Sequence, residues 1–475
     1  MNKKLLTIFL FAFLIRLVAI NQSLWLDEAI TAKVVKNYGF WQLIRSFSPY
    51  DFHPPLYYFF IKAWASLFGY SEIALRFPSI IFSLLIGYVI YKIVEEKYGV
   101  IVGLWSAAFF LFNPLIVYYS QEARMYMMVT FLLTVCLLFF IKIIQIESSK
   151  LKFKNYSLKL KIYLVLFNLF SFLSINTFYG SVFLVAAMIL YFIYKRQYQF
   201  FFISLFIIIF SLLILLPLLY QQAVNAKVSL KAVPNWSMVL GKANFKNLLL
   251  IPLKFFFGRI SFYPKWLYWL ISSGWTLFIL YQILILNINQ PTGGEKYIAK
   301  IKNICLFYYL VLFSLIAGLI VSFFTPILQY FRFLYLLPIV SILLAYSAKP
   351  SLFDRAKIAT FLGFFILSLI YLLNPVFHRE DWKSLAKSIP QGKTVFMIEA
   401  SSDPLRFYHP EVKIESLIKL SDRSINLNEV WVIPYTADIY RINYQQFLAE
   451  NKFYLDKTIN FRGLAVEIWR KKLKV

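Results

Sequence analysis

The chain has 475 residues, of which 60% are hydrophobic, 20% aromatic and only 15% charged, with a mean hydropathy of +0.68. Apolar runs of about 20 residues recur along it, which excludes a soluble globular protein and implies a polytopic membrane protein. The formal net charge of +27 does not imply nucleic acid, because the lysines and arginines gather in short segments between apolar runs, as the positive-inside rule requires.

Lys3 and Lys4 precede the first apolar run as in a signal peptide. Arg16 interrupts that run, however, and no small-x-small cleavage site precedes Asn21, so a retained first span is predicted. Hydropathy predicts eleven spans, over 5–20, 73–92, 100–118, 126–146, 161–176, 178–194, 199–220, 265–288, 304–323, 330–347 and 357–373. With the N-terminus cytoplasmic, the inner loops hold Lys92 and Lys97, then Lys150, Lys152, Lys154, Lys159 and Lys161, then Lys195 and Arg196. Lys296, Lys300 and Lys302, and finally Lys349, Arg355 and Lys357, complete the set. Every inner loop is basic, and an odd span count leaves residues 374–475 outside.

Residues 55–68 form an apolar, aromatic stretch too short to cross and suited to a helix lying in the interface. Segment 221–264 falls outside yet carries Lys227, Lys231, Lys242, Lys246, Lys254 and Arg259, a basic surface suited to an anionic lipid head group. With the first outer loop it is expected to frame a cavity, apolar below and basic above. From Asn374 the composition turns soluble: Glu380-Asp381-Trp382 opens a helix, and 394–398 and 430–433 read as buried strands. A small α/β outer domain over 374–475 is therefore expected after a membrane domain over 1–373. Cys136 and Cys305 lie within apolar runs and support neither a disulfide framework nor a cysteine metal site.

Ionisable residues at the outer ends of the spans carry the chemistry. Asp27 and Glu28 follow the first span closely, where a carboxylate is partly desolvated, the placement a general base needs. The structural alternative is an acid pair at a helix start, worth about 0.3–1 kcal/mol; if Glu28 mainly serves that start, its loss is the milder change. His53 stands before Pro54 and Pro55, which suit the first turn of the interfacial helix; it is a phosphate or metal contact or a hydrogen-bonded structural residue. Gln121-Glu122-Ala123-Arg124 occupies a tight outer turn, where Glu122 orients an acceptor, a metal or Arg124, or the turn is simply solvated. Arg76 and Arg332 sit at the same outer level and suit phosphate, or anchor their spans at the interface, and Arg16 is placed to snorkel outward. No Gly-rich phosphate loop, HExxH or Ser/His/Asp arrangement stands out, so a cytosolic nucleotide-sugar enzyme is unsupported.

Four motifs in order carry a family resemblance: Asp27-Glu28, Asp51-x-His53-Pro54-Pro55-Leu56-Tyr57-Tyr58, Glu72-x-x-Leu75-Arg76-Phe77-Pro78-Ser79 and Tyr119-Ser120-Gln121-Glu122-Ala123-Arg124-x-Tyr126. The chain resembles GT-C fold membrane glycosyltransferases, bacterial proteins akin to the protein O-mannosyltransferases, the lipid A aminoarabinose transferase and the core galacturonosyltransferases. The resemblance covers residues 1–340 and is densest over the first 130. Arg332 with Tyr335 is similar to a late Arg-aromatic element, although Phe333 stands where tyrosine is usual, and Glu380-Asp381-Trp382-Lys383 resembles a segment opening the outer domain of related proteins.

The resemblance implies a polytopic α-helical GT-C fold with about 11 transmembrane helices, interfacial helices in the first outer loop and a small α/β C-terminal domain, in a bacterial plasma membrane. It implies inverting transfer of a sugar from a polyprenyl-phosphate donor to a hydroxyl of a lipid, polysaccharide or protein acceptor. Asp27 would then be the base, and Glu28, its acidic neighbour, a further catalytic residue, as would Glu122. Glu122 would position the acceptor or a divalent cation, a cofactor for which the sequence supplies no firm ligand set. Arg124, Arg76, Arg332 and His53 would hold the donor phosphate, with Tyr57, Tyr58 and Tyr126 lining the substrate. The competing classes are a lipid-linked sugar flippase, whose charges belong near mid-membrane on interrupted helices, and a non-catalytic scaffold of the same fold.

Overall fold

The computed structural model describes residues 3–149, 156–233, 235–288, 295–346, 354–420 and 427–472. The predicted inner-loop cations Lys150, Lys152, Lys154 and Lys349 lie outside the described residues, as do the side chains of Lys296, Lys300 and Lys302.

Each predicted span is helical for most of its length. The chain runs through α1 (Lys3–Leu17), α2 (Leu26–Asn37), α3 (Leu56–Phe68), α4 (Glu72–Tyr98), α5 (Val100–Leu111), α6 (Pro114–Ser120), α7 (Tyr126–Ser149) and α8 (Tyr156–Thr177). There follow α9 (Val182–Tyr194), α10 (Tyr198–Ala232), α11 (Phe245–Phe257), α12 (Lys265–Ile288), α13 (Glu295–Ser322), α14 (Leu337–Tyr346) and α15 (Arg355–Leu373). Among the described residues, 7 helices are long and apolar enough to cross a membrane, or up to 8 if the bent pair α5 and α6 is one span. α1, α9 and α14 fall in predicted spans but are shorter than the ~20 residues of a full crossing.

The bend between α5 and α6, 61°, has a local cause. Asn113 caps α6 by accepting hydrogen bonds from the Leu115 and Ile116 N–H groups, and Pro114 takes the first helical position, where its missing N–H costs nothing. α6 thereby turns inward, and every one of its residues is buried.

α10 departs from expectation. The predicted span ends at 220, but the helix continues to Ala232 as one element of 35 residues, roughly 50 Å at 1.5 Å per residue. Phe202, Phe206, Leu213 and Leu216 are exposed on its outer surface, as lipid contact requires. Beyond Tyr220 its side chains bind the first outer loop: Gln222 Nε2 donates to the Ser48 and His53 carbonyls (2.8 and 3.2 Å), and Asn225 donates to that of Pro49 (2.9 Å). Residues 221–232 are thus a helical strut and not loop, because Gln, Ala and Lys favour helix and the exposed carbonyls of the first loop supply partners for their amides.

α16 (Trp382–Ser388) opens the outer unit, capped by the Asp381 side chain on the Ser384 N–H. A five-stranded sheet follows, β1 (Thr394–Met397), β2 (Lys413–Ser416), β3 (Glu429–Val432), β4 (Phe453–Phe461) and β5 (Leu464–Lys471), in the order β2-β1-β3-β5-β4. β2, β1 and β3 are parallel, and β5 and β4 antiparallel. Val395 and Met397 pack with Trp382 and Leu385 on one face, while Phe396 packs with Val430, Leu448 and Trp469 on the other. Burial on both faces explains why β1 and β3 read as continuous apolar runs. The outer unit sits on the first outer loop, since Tyr408 OH accepts the Leu24 N–H at 2.8 Å, Lys383 Nζ donates to the Asn21 carbonyl at 2.6 Å, and Lys33 pairs with Asp403 at 2.8 Å.

Candidate active site

α2 begins immediately after Trp25, so Asp27 and Glu28 both lie in its first turn. One residue of helix rotates a side chain by about 100°, and the two acids part company. Glu28 points inward and is fully buried; Asp27 retains 34% of its side-chain exposure.

Glu28 anchors a closed ion-pair lock. Its Oε1 accepts hydrogen bonds from Arg76 Nε and from the Ala123 N–H, both at 2.8 Å, and its Oε2 accepts one from Arg76 Nη2 at 2.5 Å. Arg76 spends its remaining N–H groups on the carbonyls of Ile20 (2.7 Å), Gln22 (2.6 Å) and Ser23 (2.9 Å). All five guanidinium donors are therefore engaged, which overturns the expectation that Arg76 binds donor phosphate. Arg76 braces the first outer loop against α4. Glu28 is likewise not a helix-start acid exposed to solvent: burial pushes its carboxyl up, but Arg76, Arg379 and the Ala123 N–H outweigh it and hold the group below the usual range.

Glu122 lies beside this lock, in the turn between α6 and α7. Its Oε2 accepts a hydrogen bond from Arg379 Nη2 at 3.2 Å, its Oε1 is buried without a partner among the described residues, and its carbonyl accepts the Ser79 hydroxyl at 2.6 Å. Burial pushes its carboxyl up to about 7, with Arg379 opposing and the charge of Glu28 adding to the rise.

Asp27 faces a second cluster. Arg124 Nη2 lies 3.6 Å from Asp27 Oδ2, and Arg124 Nη1 donates to Tyr58 OH at 3.1 Å. Asp51 stands beyond Tyr58 and 3.5 Å from His53 Nδ1; burial raises its carboxyl, but His53, Arg124 and Tyr58 together hold it below the usual range. His53 stacks on Phe178, 6.2 Å between centroids, and its carbonyl is held by Gln222, so it is fixed in the wall of the site. Tyr57 turns a buried hydroxyl, without a hydrogen-bond partner among the described residues, toward the charges of Arg124, Glu28 and Glu122. Tyr126 stands among Arg124, Glu122, Asp27 and Arg332. The Arg332 guanidinium makes no hydrogen bond or ion pair among the described residues and lies desolvated near Tyr126. Arg16, by contrast, does not snorkel: it is buried, donating to Ser83 Oγ (2.9 Å) and to the carbonyls of Ala12 and Leu111 (both 2.7 Å).

The chain is similar to known proteins in sequence over one segment and in fold over its length. Residues 52–220 match the dolichyl-phosphate-mannose-protein mannosyltransferase family. The crystal structure of ArnT from Cupriavidus metallidurans bound to undecaprenyl phosphate superposes on 98% of this chain and 97% of that one, at 13% identity and a TM-score of 0.50. The chain has the GT-C fold of membrane glycosyltransferases. The apo state of the same ArnT aligns with a TM-score of 0.49 at 12% identity, over 98% of this chain and 97% of that chain. The archaeal oligosaccharyltransferase AglB from Archaeoglobus fulgidus, in complex with an inhibitory peptide and a dolichol-phosphate, aligns over 97% of the GT-C chain and 74% of its own, at 12% identity and a TM-score of 0.49. No curated protein matches the chain in sequence.

Two arginines of this GT-C site escaped the sequence reading. Arg379 reaches down from the segment before α16, its guanidinium 4.5 Å from the Tyr118 ring centroid. Arg259 lies over the same ring at 4.7 Å and donates to the Tyr118 hydroxyl at 2.6 Å. Tyr118 is thus flanked by two cations. The signals were present but weak: Arg379 directly precedes Glu380-Asp381-Trp382, and Arg259 was one of the six cations of 221–264. Gly258 makes the placement of Arg259 feasible, since it takes a φ of +74° and a Cβ there would stand 2.9 Å from Pro114.

The described residues supply by themselves no complete ligand set for a divalent cation. Among the described residues no group of three His, Cys, Asp or Glu side chains converges, and Glu122 faces a guanidinium at 3.2 Å where a cation would need further anionic ligands.

Proposed function

We propose that the chain transfers a sugar from a polyprenyl-phosphate donor to a hydroxyl of a lipid, glycan or protein acceptor at the outer membrane surface, with inversion. The observation that carries this reading is the pairing of Asp27, in the first outer loop and still 34% exposed, with Arg124 of the α6–α7 turn in a GT-C fold. Asp27 accepts the proton of the acceptor hydroxyl as its oxygen bonds to the anomeric carbon. The bond from that carbon to the phosphate oxygen breaks, and its electron pair leaves with the polyprenyl phosphate. Positive charge at the leaving oxygen stabilises this step. Arg332, with no ion-pair partner among the described residues, and Arg259, exposed at the rim, supply it with Arg124. Glu28 and Arg76 hold the loop that carries Asp27 and do not touch substrate. Mass spectrometry of outer glycolipids and glycoproteins, with and without the gene, tests the reading. Loss of one sugar from one acceptor class, with its donor lipid still reaching the outer leaflet, is expected; the same loss with donor lipid trapped on the inner leaflet would establish a flippase instead.

The same reading divides the chain at 373/374, where α15 ends, and places the N-terminus in the cytoplasm and residues 374–475 outside the plasma membrane of a bacterium. The alternating basic loops support this orientation. Reporter fusions after Lys92, Asn155, Lys300 and Val475 are expected to report inside, inside, inside and outside, and a cytoplasmic signal from Val475 would overturn it.

A further inference from the structure

Arg379 belongs to the outer unit by its backbone and to the membrane site by its side chain. Its main chain is pinned from two directions. Gln22 Oε1 accepts the Arg379 N–H at 3.0 Å, and Arg462 Nε donates to the Arg379 carbonyl at 2.7 Å. Arg462 sits in the turn of the β4–β5 hairpin, and its own carbonyl accepts the Asp381 N–H at 2.9 Å. The hairpin turn therefore grips the segment on both sides of Glu380. From this fixed backbone the guanidinium descends into a buried layer, with Nη2 3.2 Å from Glu122 and Nε 3.7 Å from Glu28. Its Nη1 has no hydrogen-bond partner among the described residues, and its flat face lies over Tyr118.

We propose that Arg379 is a positioning residue of the reaction centre: held by the β4–β5 turn, it bridges Glu28 and Glu122, so that the outer domain completes the site from above. The bridge joins the acid that locks α2, and with it Asp27, to the acid of the α6–α7 turn that carries Arg124. Separation of the outer domain would strip the only cation hydrogen-bonded to Glu122 among the described residues. The charges facing Glu122 are Arg379, Arg259 and Arg124 on the positive side and Glu28 on the negative. The hydroxyls of Tyr57, Tyr118, Tyr119 and Tyr126 lie within reach of its field. Of these, Arg379 is the nearest cation, and its removal leaves Glu122 buried beside Glu28 with its main compensation gone.

The inference rests on the transferase reading for its meaning but not for its test. In the purified full chain in lipid nanodiscs, pH-difference infrared spectroscopy reads the carbonyl band of a buried protonated carboxyl, assigned to Glu122 by its loss in Glu122→Gln. Arg379→Gln is expected to move the midpoint of that band upward by about one pH unit or more, a tenfold or larger rise in proton affinity. Arg379→Lys should return it most of the way, because a point charge at the same place suffices for the field though not for the bidentate reach. Arg462→Ala, which leaves the cation in place but frees its backbone, should move it in the same direction by less. If Arg379→Gln does not insert, the Arg462→Ala arm decides. An unmoved midpoint in the folded variants, or no titrating band lost in Glu122→Gln, would overturn the bridge. If the band moves while the wild-type chain transfers no sugar from any polyprenyl-phosphate donor, the transferase reading falls and the bridge stands. If transfer is found and the band stays still, the reverse holds. In the transferase assay the pH dependence of kcat/KM should shift in parallel with the band, whereas a merely structural loss would lower the rate at every pH without moving the limb.

Discussion

Replacing Asp27 with asparagine is expected to reduce sugar transfer by about two orders of magnitude or more while leaving insertion and donor binding close to normal. The reason lies in how lightly Asp27 is held. One guanidinium at 3.6 Å is its ion-pair partner among the described residues, and a third of the side chain is open to solvent, the access an acceptor needs. Asparagine keeps the shape and can still face Arg124, so the fold loses at most a weak, partly solvated pair, and such pairs contribute little to stability. What asparagine cannot do is accept the acceptor's proton as the new glycosidic bond forms. Turnover measured with polyprenyl-phosphate donor and purified variants, beside donor binding and apparent Tm, separates these effects. Near-normal turnover by Asp27→Asn would remove the base from this residue.

Glu28→Gln is expected to be the more damaging substitution for the protein as a whole, although it is the neighbouring residue and the milder change by the sequence reading. Glu28 is fully buried and compensates two arginines, Arg76 and Arg379. Removing one partner of a buried, hydrogen-bonded pair strands the other's charge, at a cost of about 3–5 kcal/mol, well above the 0.3–1 kcal/mol of a helix-start acid. The apparent Tm of the full chain should fall by several degrees, with α2 and the 18–25 turn losing protection in hydrogen exchange first. Because the carboxyl is held below its ordinary range, its contribution is present above the usual carboxylate pKa near 4.3 and is lost as the pH falls below it. Glu28→Gln should therefore flatten the acid side of the stability profile. Wild-type Tm in Glu28→Gln would refute the lock, and so would a transfer defect with intact stability, which would instead make Glu28 part of the chemistry. The double variant with Arg76 replaced should cost less than the sum of the singles, since the two charges are one interaction.

Much of this protein is written locally. Apolar runs at span length, the Asn113-Pro114 break, the paired prolines before α3 and the Asp381 cap before α16 are short-range signals, and each maps to an element where the chain alone dictates it. The four motifs also collect in one place, because each lies near a helix end and the topology brings those ends together. Which acid faces inward was not legible. Asp27 and Glu28 are adjacent and chemically alike, and only the packing of Arg76, Ala123 and Arg379 from three other segments makes one a buried brace and leaves the other open.

Arg76 shows the same limit in reverse. Its position at the outer end of a span suits phosphate as well as any arginine in the chain, yet the fold surrounds it with three backbone carbonyls and a carboxylate that saturate its fork. Arg379 and Arg259 lie 257 and 137 positions along the chain from Glu122, separations over which no periodicity or spacing rule reaches. Composition and local pattern determine where helices and strands form, because those depend on neighbours in sequence; the division of the charged residues into braces, base and free cations depends on hydrogen-bond partners from distant segments, and those exist only once the bundle and the outer domain have packed.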